Sequence, residues 1–272
     1  MRFIFVSDLH SNKMFFYELE ALISSIRADA IIIGGDIFDY SPHAEPQIEF
    51  AKGFLCEFFK NINIKKYIVN GNCDKPQSIT YLNNMKKEMG IELLGLTGTR
   101  INNNINLFGY GHIPPSPFKI KDYERRDMEK DKISFETPCL LSNSYDELNL
   151  IEGNFLNYLP SIEKELNCLN ARKSIWVMHS PPYGGILDKT HSGVSAGSKA
   201  IRKQIEQVQP LISLHGHIHE APLVSSQWAE RIGDTVSVNP GVGKCLHAVI
   251  FDMDTYGDIK SIRHNKYGEL TI

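Results

Sequence analysis

The chain has 272 residues, of which 42% are hydrophobic, so its length and composition allow a full core in one domain. Its 29 basic and 32 acidic side chains give a formal charge of -3, which does not indicate a nucleic-acid or anionic-membrane surface. No segment approaches the roughly 20 apolar residues of a membrane span, and the apolar run before Asp8 is too short for a secretion signal.

The five cysteines are odd in number and lack C-x-x-C spacing, which argues against a disulfide framework and against a structural zinc site. We therefore expect reduced thiols in a cytoplasmic protein. Its expected partner is a small molecule rather than a membrane or a nucleic acid. Nothing in the sequence predicts the oligomeric state.

The first part of the chain alternates strands with helices. Apolar runs predict strands at 2–6, 30–33 and 66–69, helical spacing predicts a helix at 15–26, and Pro46 suits the first turn of a helix that runs to about residue 60. This alternation predicts parallel strands joined by right-handed crossovers.

From residue 91 the apolar runs become shorter. They predict strands at 91–94, 105–108, 174–178 and 211–214, helices around 146–169 and at 197–207, and a tail of antiparallel strands at 235–238, 248–251 and 259–262. Residues 121–132 carry ten charges of mixed sign, for which we expect a solvated loop or a short helix. Because no repeat or linker is visible, we expect one domain over 1–272, with a charged insertion near 114–143.

Five of the predicted strands end in side chains that can bind metal. These side chains belong to Asp8, His10, Asp36, Asn72, His179, His217 and His219. We expect them at one edge of one sheet. Pairs separated by one residue face the same way in extended chain, as Asp8 and His10 would. Carboxylate, amide and imidazole groups without a thiolate favour manganese, iron or zinc, and two cations need a bridging anion, for which Asp36 is the natural candidate.

In chain order, Asp8-x-His10, Gly35-Asp36-x-x-Asp39, Gly71-Asn72-Cys73-Asp74, His179 and Gly216-His217-x-His219 resemble the calcineurin-like metallophosphoesterase family over about residues 1–250. The resemblance implies an α/β fold, a four-layer α/β/β/α sandwich of two mixed sheets. It also implies a phosphoesterase with two divalent metal ions, manganese, iron or zinc, of which we favour manganese. A hydroxide bridging the metals would attack phosphorus, and Asn72 would stabilise charge on the phosphoryl oxygens.

The resemblance also implies a ligand set for each cation. The first would be held by Asp8, His10, Asp36 and His219, and the second by Asp36, Asn72, His179 and His217.

One block departs from the family's common Gly-Asn-His-Asp or Gly-Asn-His-Glu, because Cys73 stands where a histidine would lie over the substrate. A thiol is a weak hydrogen-bond donor, so we expect a preference for small phosphodiesters or for esters whose leaving groups need little protonation. A nucleotide or cyclic nucleotide is one candidate. Asp74, which in the family orients that histidine, is expected to contact a ligand imidazole such as that of His10.

Other residues leave alternatives open. His112 is either a phosphate contact or replacement acid, or a surface histidine, and Asp39 is expected to support the ligands rather than serve only a turn. By alternation, His215 should point away from the side used by His217 and His219, either into the core or behind the ligands. Two other functions also remain: a non-catalytic scaffold of the same fold, or a nuclease, which would need a basic track beside the site.

Overall fold

The computed structural model describes residues 1–270, and its helices and strands are as follows. The strands are β1 (Arg2–Val6), β2 (Ala30–Ile33), β3 (Lys65–Ile68), β4 (Ile91–Leu93), β5 (Thr99–Arg100), β6 (Asn106–Tyr110), β7 (Cys139–Ser142), β8 (Leu148–Ile151), β9 (Ser174–Met178), β10 (Ile212–Leu214), β11 (Ala229–Ile232), β12 (Thr235–Val238), β13 (Val249–Met253), β14 (Ile259–His264) and β15 (Gly268–Glu269). The helices are α1 (Lys13–Ile26), α2 (Glu45–Phe50), α3 (Cys56–Asn61), α4 (Pro76–Met89), α5 (Ile162–Leu166), α6 (Lys199–Val208) and α7 (Ala221–Ser225). A π-helical stretch at Ala51–Leu55 joins α2 to α3, and a short 3-10 helix occupies Phe155–Tyr158.

Two mixed sheets form the centre of the fold. The first has seven strands in the order β15-β14-β13-β1-β2-β3-β4, with β1 to β4 parallel and the tail strands antiparallel. The second has six strands in the order β11-β12-β10-β9-β6-β5, with parallel pairing from β12 to β6. A separate hairpin pairs β7 with β8.

The two sheets pack face to face, with helices on their outer faces. In β1, Phe3 and Phe5 lie in the apolar cluster between the sheets, whereas Ile4 and Val6 lie in the cluster that also holds α1, α3 and α4. In β9, Trp176 packs on the opposite side, with residues of α5 and α6. This alternation along each strand produces the four α/β/β/α layers that the resemblance implied.

Two predictions of local structure were wrong, and one helix was missed. The segment 146–169, predicted to be helical, contains β8, the 3-10 turn and the short α5, because Gly153 and Pro160 interrupt its helical spacing. Strand β12 pairs parallel with β10, so the tail is not wholly antiparallel. Helix α4 was not predicted, although Pro76 at its start and Gly90 at its C-terminal cap are ordinary helix signals.

The charged segment 121–132 is a loop, but several of its charges are buried rather than solvated. Lys121 and Glu124 form an ion pair of 3.0 Å whose side chains are each 2% exposed. Asp122 pairs with Lys75 at 2.9 Å, and the Asp127 carboxylate accepts hydrogen bonds from the first backbone N–H groups of α6. The mixed signs that suggested a solvated surface serve instead to pair charges inside the protein.

Within residues 1–270, no helix is both long enough and apolar enough to cross a membrane.

Candidate metal centre

The loops after β1 and β2 lie side by side. Backbone hydrogen bonds of 3.0 Å join the Asp8 N–H to the Gly35 carbonyl and the His10 N–H to the Asp36 carbonyl. Asp8, His10 and Asp36 have φ angles of 58°, 43° and 48°, so the chain is not extended there as we had expected. Left-handed turns, stabilised by the neighbouring loop, therefore direct these side chains to a common point.

The loop after β3 is fixed to the same place by backbone donors. The Cys73 N–H donates to Asp36 Oδ1 at 2.7 Å. Asp74, which is buried, accepts the N–H groups of Gly71 and Phe38 at 2.7 and 2.9 Å. Asp74 therefore holds two backbone segments of the site and does not contact a ligand imidazole, contrary to our expectation.

The second sheet supplies His179 directly after β9. Its Nδ1 lies 2.9 Å from the Gly34 carbonyl, which fixes the ring with a proton on Nδ1 and turns Nε2 toward the other candidate ligands. Nε2 lies 3.4 Å from Asp36 Oδ2 and 3.1 Å from Asn72 Oδ1. One imidazole thus meets a carboxylate and an amide from the other sheet.

The loop after β10 brings the last two histidines. The His217 N–H lies 3.1 Å from both Asp8 carboxylate oxygens, and the His217 ring lies beside that of His179, with centroids 5.2 Å apart. His219 Nε2 is 3.3 Å from Asp8 Oδ1 and 3.2 Å from His10 Nε2. All seven predicted ligands are therefore brought together.

We had expected these side chains at one edge of one sheet, but they come from two sheets. Strands β1 to β3 belong to the seven-stranded sheet, and β9 and β10 to the six-stranded sheet. The sequence cannot distinguish these cases, because a parallel strand looks the same in either sheet.

The ligand atoms form overlapping groups. Asp8, His10 and His219 offer atoms that all lie within 4.8 Å of one another, and so do Asp8, Asp36 and His179. Asp36 Oδ2 lies 4.0 Å from His10 Nε2 as well as 3.4 Å from His179 Nε2. Its position between two imidazoles suits a bridging carboxylate.

This donor set fits divalent cations. The His10 and His219 Nε2 atoms face each other at 3.2 Å, and the His179 Nε2 and Asn72 Oδ1 atoms at 3.1 Å. Buried Asp8 and Asp36 add negative charge beside them. Oxygen and nitrogen donors that converge in this way are ligands that manganese, iron and zinc accept.

Electrostatics at the centre follow from burial and from the close charges. Burial alone would raise the pKa of Asp36, but His179 and His10 hold it well below its usual range. Burial alone would likewise lower the pKa of His179, but the charge of Asp36 raises it to about 9. The pKa of His217 is lowered to about 4 because burial and the neighbouring His179 outweigh the two aspartates.

Glycines in the sequence blocks provide the space for this packing. A side chain at Gly71 would collide with the Asp36 carboxylate, and one at Gly216 would collide with the side chains of Ser7 and Asp8. The glycines before Asn72 and His217 are thus required by the close approach of loops from different strands.

Two residues that the sequence analysis missed hold these loops from behind. Gln47 in α2 donates to the Cys73 carbonyl at 2.8 Å and accepts the Lys75 N–H at 2.8 Å. Asn239, fully buried after β12, donates to the Gly216 and Ile218 carbonyls at 3.2 and 3.0 Å. The sequence offers for Asn239 only the turn motif Asn239-Pro240-Gly241, and for Gln47 no signal.

The remaining candidates lie around the cluster. Cys73 Sγ lies within 4.8 Å of ligand atoms of His10 and Asp36. Asp39 is exposed and accepts the Tyr40 N–H at 2.9 Å, which is a turn contact and not the supporting role that we expected. His215 is fully buried in the core, as its alternation predicted.

His112 is not part of the metal-ligand groups. Its ring packs beside those of Tyr110 and Tyr123, and its Nδ1 lies 3.6 Å from Glu165 Oε2. Burial, followed by the charge of Arg125, lowers its pKa to about 3. The imidazole is therefore neutral at pH 7 and is not suited to act as an acid.

A cavity of about 510 Å³ borders His217 and His219. Its lining also includes the proline-rich loop 114–118 and the residues Thr190 and Ser195. The cavity gives the candidate centre a space beside it for a bound molecule.

Comparison with two solved structures agrees with this architecture. The chain is similar in fold to one solved structure at 15% identity, with a TM-score of 0.60, over 96% of this chain and 98% of that one. It is similar to the protein TT1561 of Thermus thermophilus at 18% identity, with a TM-score of 0.54, over 88% of each chain. A structure of an archaeal phosphodiesterase gives 12% identity and a TM-score of 0.47 over 99% and 100%.

A search of curated proteins found no significant match. The model of one protein family, described as calcineurin-like phosphoesterase, matches residues 1–221 and so includes all seven candidate ligands. This match covers most of the chain, and the chain therefore belongs to the calcineurin-like phosphoesterase family.

Proposed function

We propose that this chain is a dinuclear metal-dependent phosphoesterase that hydrolyses small phosphodiesters. The observation that carries the proposal is the convergence of carboxylate, amide and imidazole atoms from five loops of two sheets, with Asp36 between His10 and His179. A non-catalytic scaffold would not require this complete set of metal-binding side chains.

Each proposed cation has four ligands. Asp8, His10, Asp36 and His219 would hold one, and Asp36, Asn72, His179 and His217 the other, with manganese as the favoured metal. When bound, such a pair acts as a Lewis acid toward the phosphoryl oxygens and acidifies water.

Residues of the chain contribute the rest. The side-chain oxygen of Asn72 lies 3.1 Å from His179 Nε2, and its amide nitrogen lies on the side of Cys73. Its N–H groups are therefore placed to stabilise phosphoryl oxygens. Asp74 supports this loop through the Gly71 N–H. The Gly34 carbonyl orients the ring of His179, so its Nε2 points at Asp36.

Cys73 supports the preference for diesters. Burial, and then the nearby Asp36 charge, raise the pKa of its thiol far above neutrality. In the metal-free protein the thiol therefore stays protonated and is neither a nucleophile nor a strong acid. We propose that the chain belongs to a subgroup with Gly-Asn-Cys-Asp in place of the histidine form, and that leaving groups needing little protonation are preferred.

The central experiment is a hydrolysis panel on protein loaded with manganese, iron or zinc. We expect two metals per chain and faster turnover of bis(p-nitrophenyl) phosphate than of p-nitrophenyl phosphate. Less than one metal per chain together with no hydrolysis of any ester would instead indicate a scaffold.

A second experiment tests the role of Cys73. Cys73→His should raise turnover of an alkyl phosphate ester relative to a nitrophenyl ester, because only the alkyl leaving group needs a proton. An unchanged ratio would show that the missing acid does not limit the reaction.

The cysteines form no disulfides within the described chain, which supports our proposal of a cytoplasmic location.

A further inference from the structure

We propose that the cavity beside His217 and His219 is the subsite for an uncharged, ring-bearing ester group of the substrate. Phe118 would stack on the ring, and Glu220 would accept its hydrogen bonds. This inference rests on the proposed function, since it assumes that a phosphoryl group sits at the metal centre. The cavity, of about 510 Å³, has room for a group of nucleoside size.

The proline-rich loop is rigid. Pro114, Pro115 and Pro117 restrict the backbone torsions of the loop. Behind it, the buried Lys121–Glu124 pair holds Ser116, whose N–H donates to Glu124 Oε2 at 3.0 Å and whose carbonyl accepts from Lys121. Phe118, two residues further on, is 50% exposed. A rigid loop that presents one half-exposed phenyl ring into a cavity is suited to stacking, because little side-chain freedom is lost on binding.

Charge limits what the cavity can accept. Among residues 1–270, Glu220 is the only ionisable side chain besides the two histidines that lines the cavity, and no lysine or arginine of that range lines it. Glu220 Oε1 accepts the His191 N–H at 3.1 Å, which holds its carboxylate in place. Lys189 donates to Ser195 Oγ at 2.8 Å and does not line the cavity. The cavity therefore disfavours an ester group that carries further phosphates and favours a neutral ring with hydroxyl or N–H donors.

Binding measurements on metal-loaded protein, made before appreciable hydrolysis of the probe, test the subsite by affinity rather than by turnover. The probes are thymidine 5′-(methyl phosphate), which carries a ring, and dimethyl phosphate, which does not. We expect Phe118→Ala to weaken binding of the thymidine ester roughly tenfold, as loss of one stacking contact does, and to leave dimethyl phosphate unchanged. Phe118→Tyr should retain the affinity of the unaltered protein.

Tyr256→Ala provides the matched control. Tyr256 is 70% exposed in the turn after β13, and the pairing of Phe5 with Val249 and of Arg2 with Asp252 places that turn at the end of the sheet away from the site. This variant should bind both probes normally. Equal affinity of the unaltered and Phe118→Ala proteins for the thymidine ester would overturn the subsite.

Glu220→Gln tests the charge argument. The amide oxygen can still accept the His191 N–H, so the loop is retained while the negative charge is lost. Binding of thymidine 3′,5′-bisphosphate should strengthen several-fold relative to the singly charged ester, and an unchanged ratio would contradict the charge argument. Failure of the proposed function would appear differently, as absence of hydrolysis by metal-loaded protein whatever the affinity of the cavity.

Discussion

Asp36 occupies a position that no other side chain of the centre shares. Its carboxylate lies between His10 and His179 while it accepts the Cys73 N–H, so it joins three loops of the site. A carboxylate in this position can hold two cations that would otherwise repel each other.

Replacing Asp36 by Asn should therefore remove metal and activity together. We expect the bound metal to fall to one equivalent per chain or less, and hydrolysis of bis(p-nitrophenyl) phosphate to fall by at least about a hundredfold, because metal ions contribute several kcal/mol to the transition state. Elemental analysis and steady-state kinetics check both. Asp39→Asn is the control, since Asp39 is exposed in a neighbouring turn. A variant that kept two metals would show that Asp36 is not the bridge.

His264 contributes a pH dependence that is separate from the metal centre. Its Nε2 lies 3.1 Å from the Pro240 carbonyl, its Nδ1 accepts the Lys266 N–H at 3.0 Å, and burial lowers its pKa to about 4. The unfolded chain, with an ordinary histidine pKa of about 6.5, binds more protons than the folded one between these values. The stabilisation is therefore complete above pH 6.5 and is lost as the pH falls toward 4.

Urea unfolding of the metal-free protein at pH 7 and pH 4.5 measures this effect. We expect the free energy of unfolding to fall by about 2 kcal/mol more in the unaltered protein than in His264→Gln, which has no titrating ring. Equal losses in both proteins would show that His264 does not titrate in this window.

At the scale of elements, the charged segment is attached to the site loop by a buried ion pair. Lys75 directly follows Asp74, and its ammonium lies 2.9 Å from Asp122 Oδ2, with each side chain 3% exposed. Asp122 also accepts the Ser142 N–H at 2.7 Å, so the pair connects α4, the charged loop and β7. A buried pair of this kind is costly to break, because the partner left behind keeps its charge.

Asp122→Asn should reduce the free energy of unfolding by about 3–5 kcal/mol, and the double variant Lys75→Met, Asp122→Asn should recover much of that loss. Chemical denaturation of the single and double variants gives the coupling. Arg172 and Asp234 form an exposed pair, with side chains 69% and 85% exposed, so Asp234→Asn should change stability by less than about 1 kcal/mol. A comparable loss of unfolding free energy in Asp122→Asn and Asp234→Asn would show that burial of the Lys75–Asp122 pair does not increase its contribution to stability.

At the scale of the whole molecule, local sequence patterns predicted the strands that carry the ligands more accurately than their arrangement. The apolar run at 174–178 matches β9 residue for residue, because a buried strand shows in its own composition. The division of these strands between two sheets cannot be read from local composition, because it depends on which apolar faces pack together. Gln47 and Asn239 were missed for the same reason: their roles are contacts with residues 26 and 23 positions away.

Because the candidate ligands come from both sheets, bound metal should stabilise the whole fold rather than one loop. Asp8, His10, Asp36 and Asn72 follow strands of the seven-stranded sheet, and His179, His217 and His219 follow strands of the six-stranded sheet. A ligand that binds only the folded state stabilises it by about 2.7 kcal/mol at 100 times its dissociation constant. For a chain of this size that corresponds to a rise in Tm of roughly 5–10 °C.

Calorimetry with manganese, and after its removal with EDTA, measures this shift. His179→Ala removes a ligand of the six-stranded sheet and should abolish most of the rise, whereas Asp254→Asn, at the far end of β13, should leave it unchanged. A cation that binds at micromolar concentration without raising Tm would show that the cluster does not join the two sheets through metal. A rise that persisted in His179→Ala would place the stabilising cation elsewhere. The expected pattern is a rise in Tm that depends on His179. It would show that metal binding is coupled to the packing of the two sheets against each other.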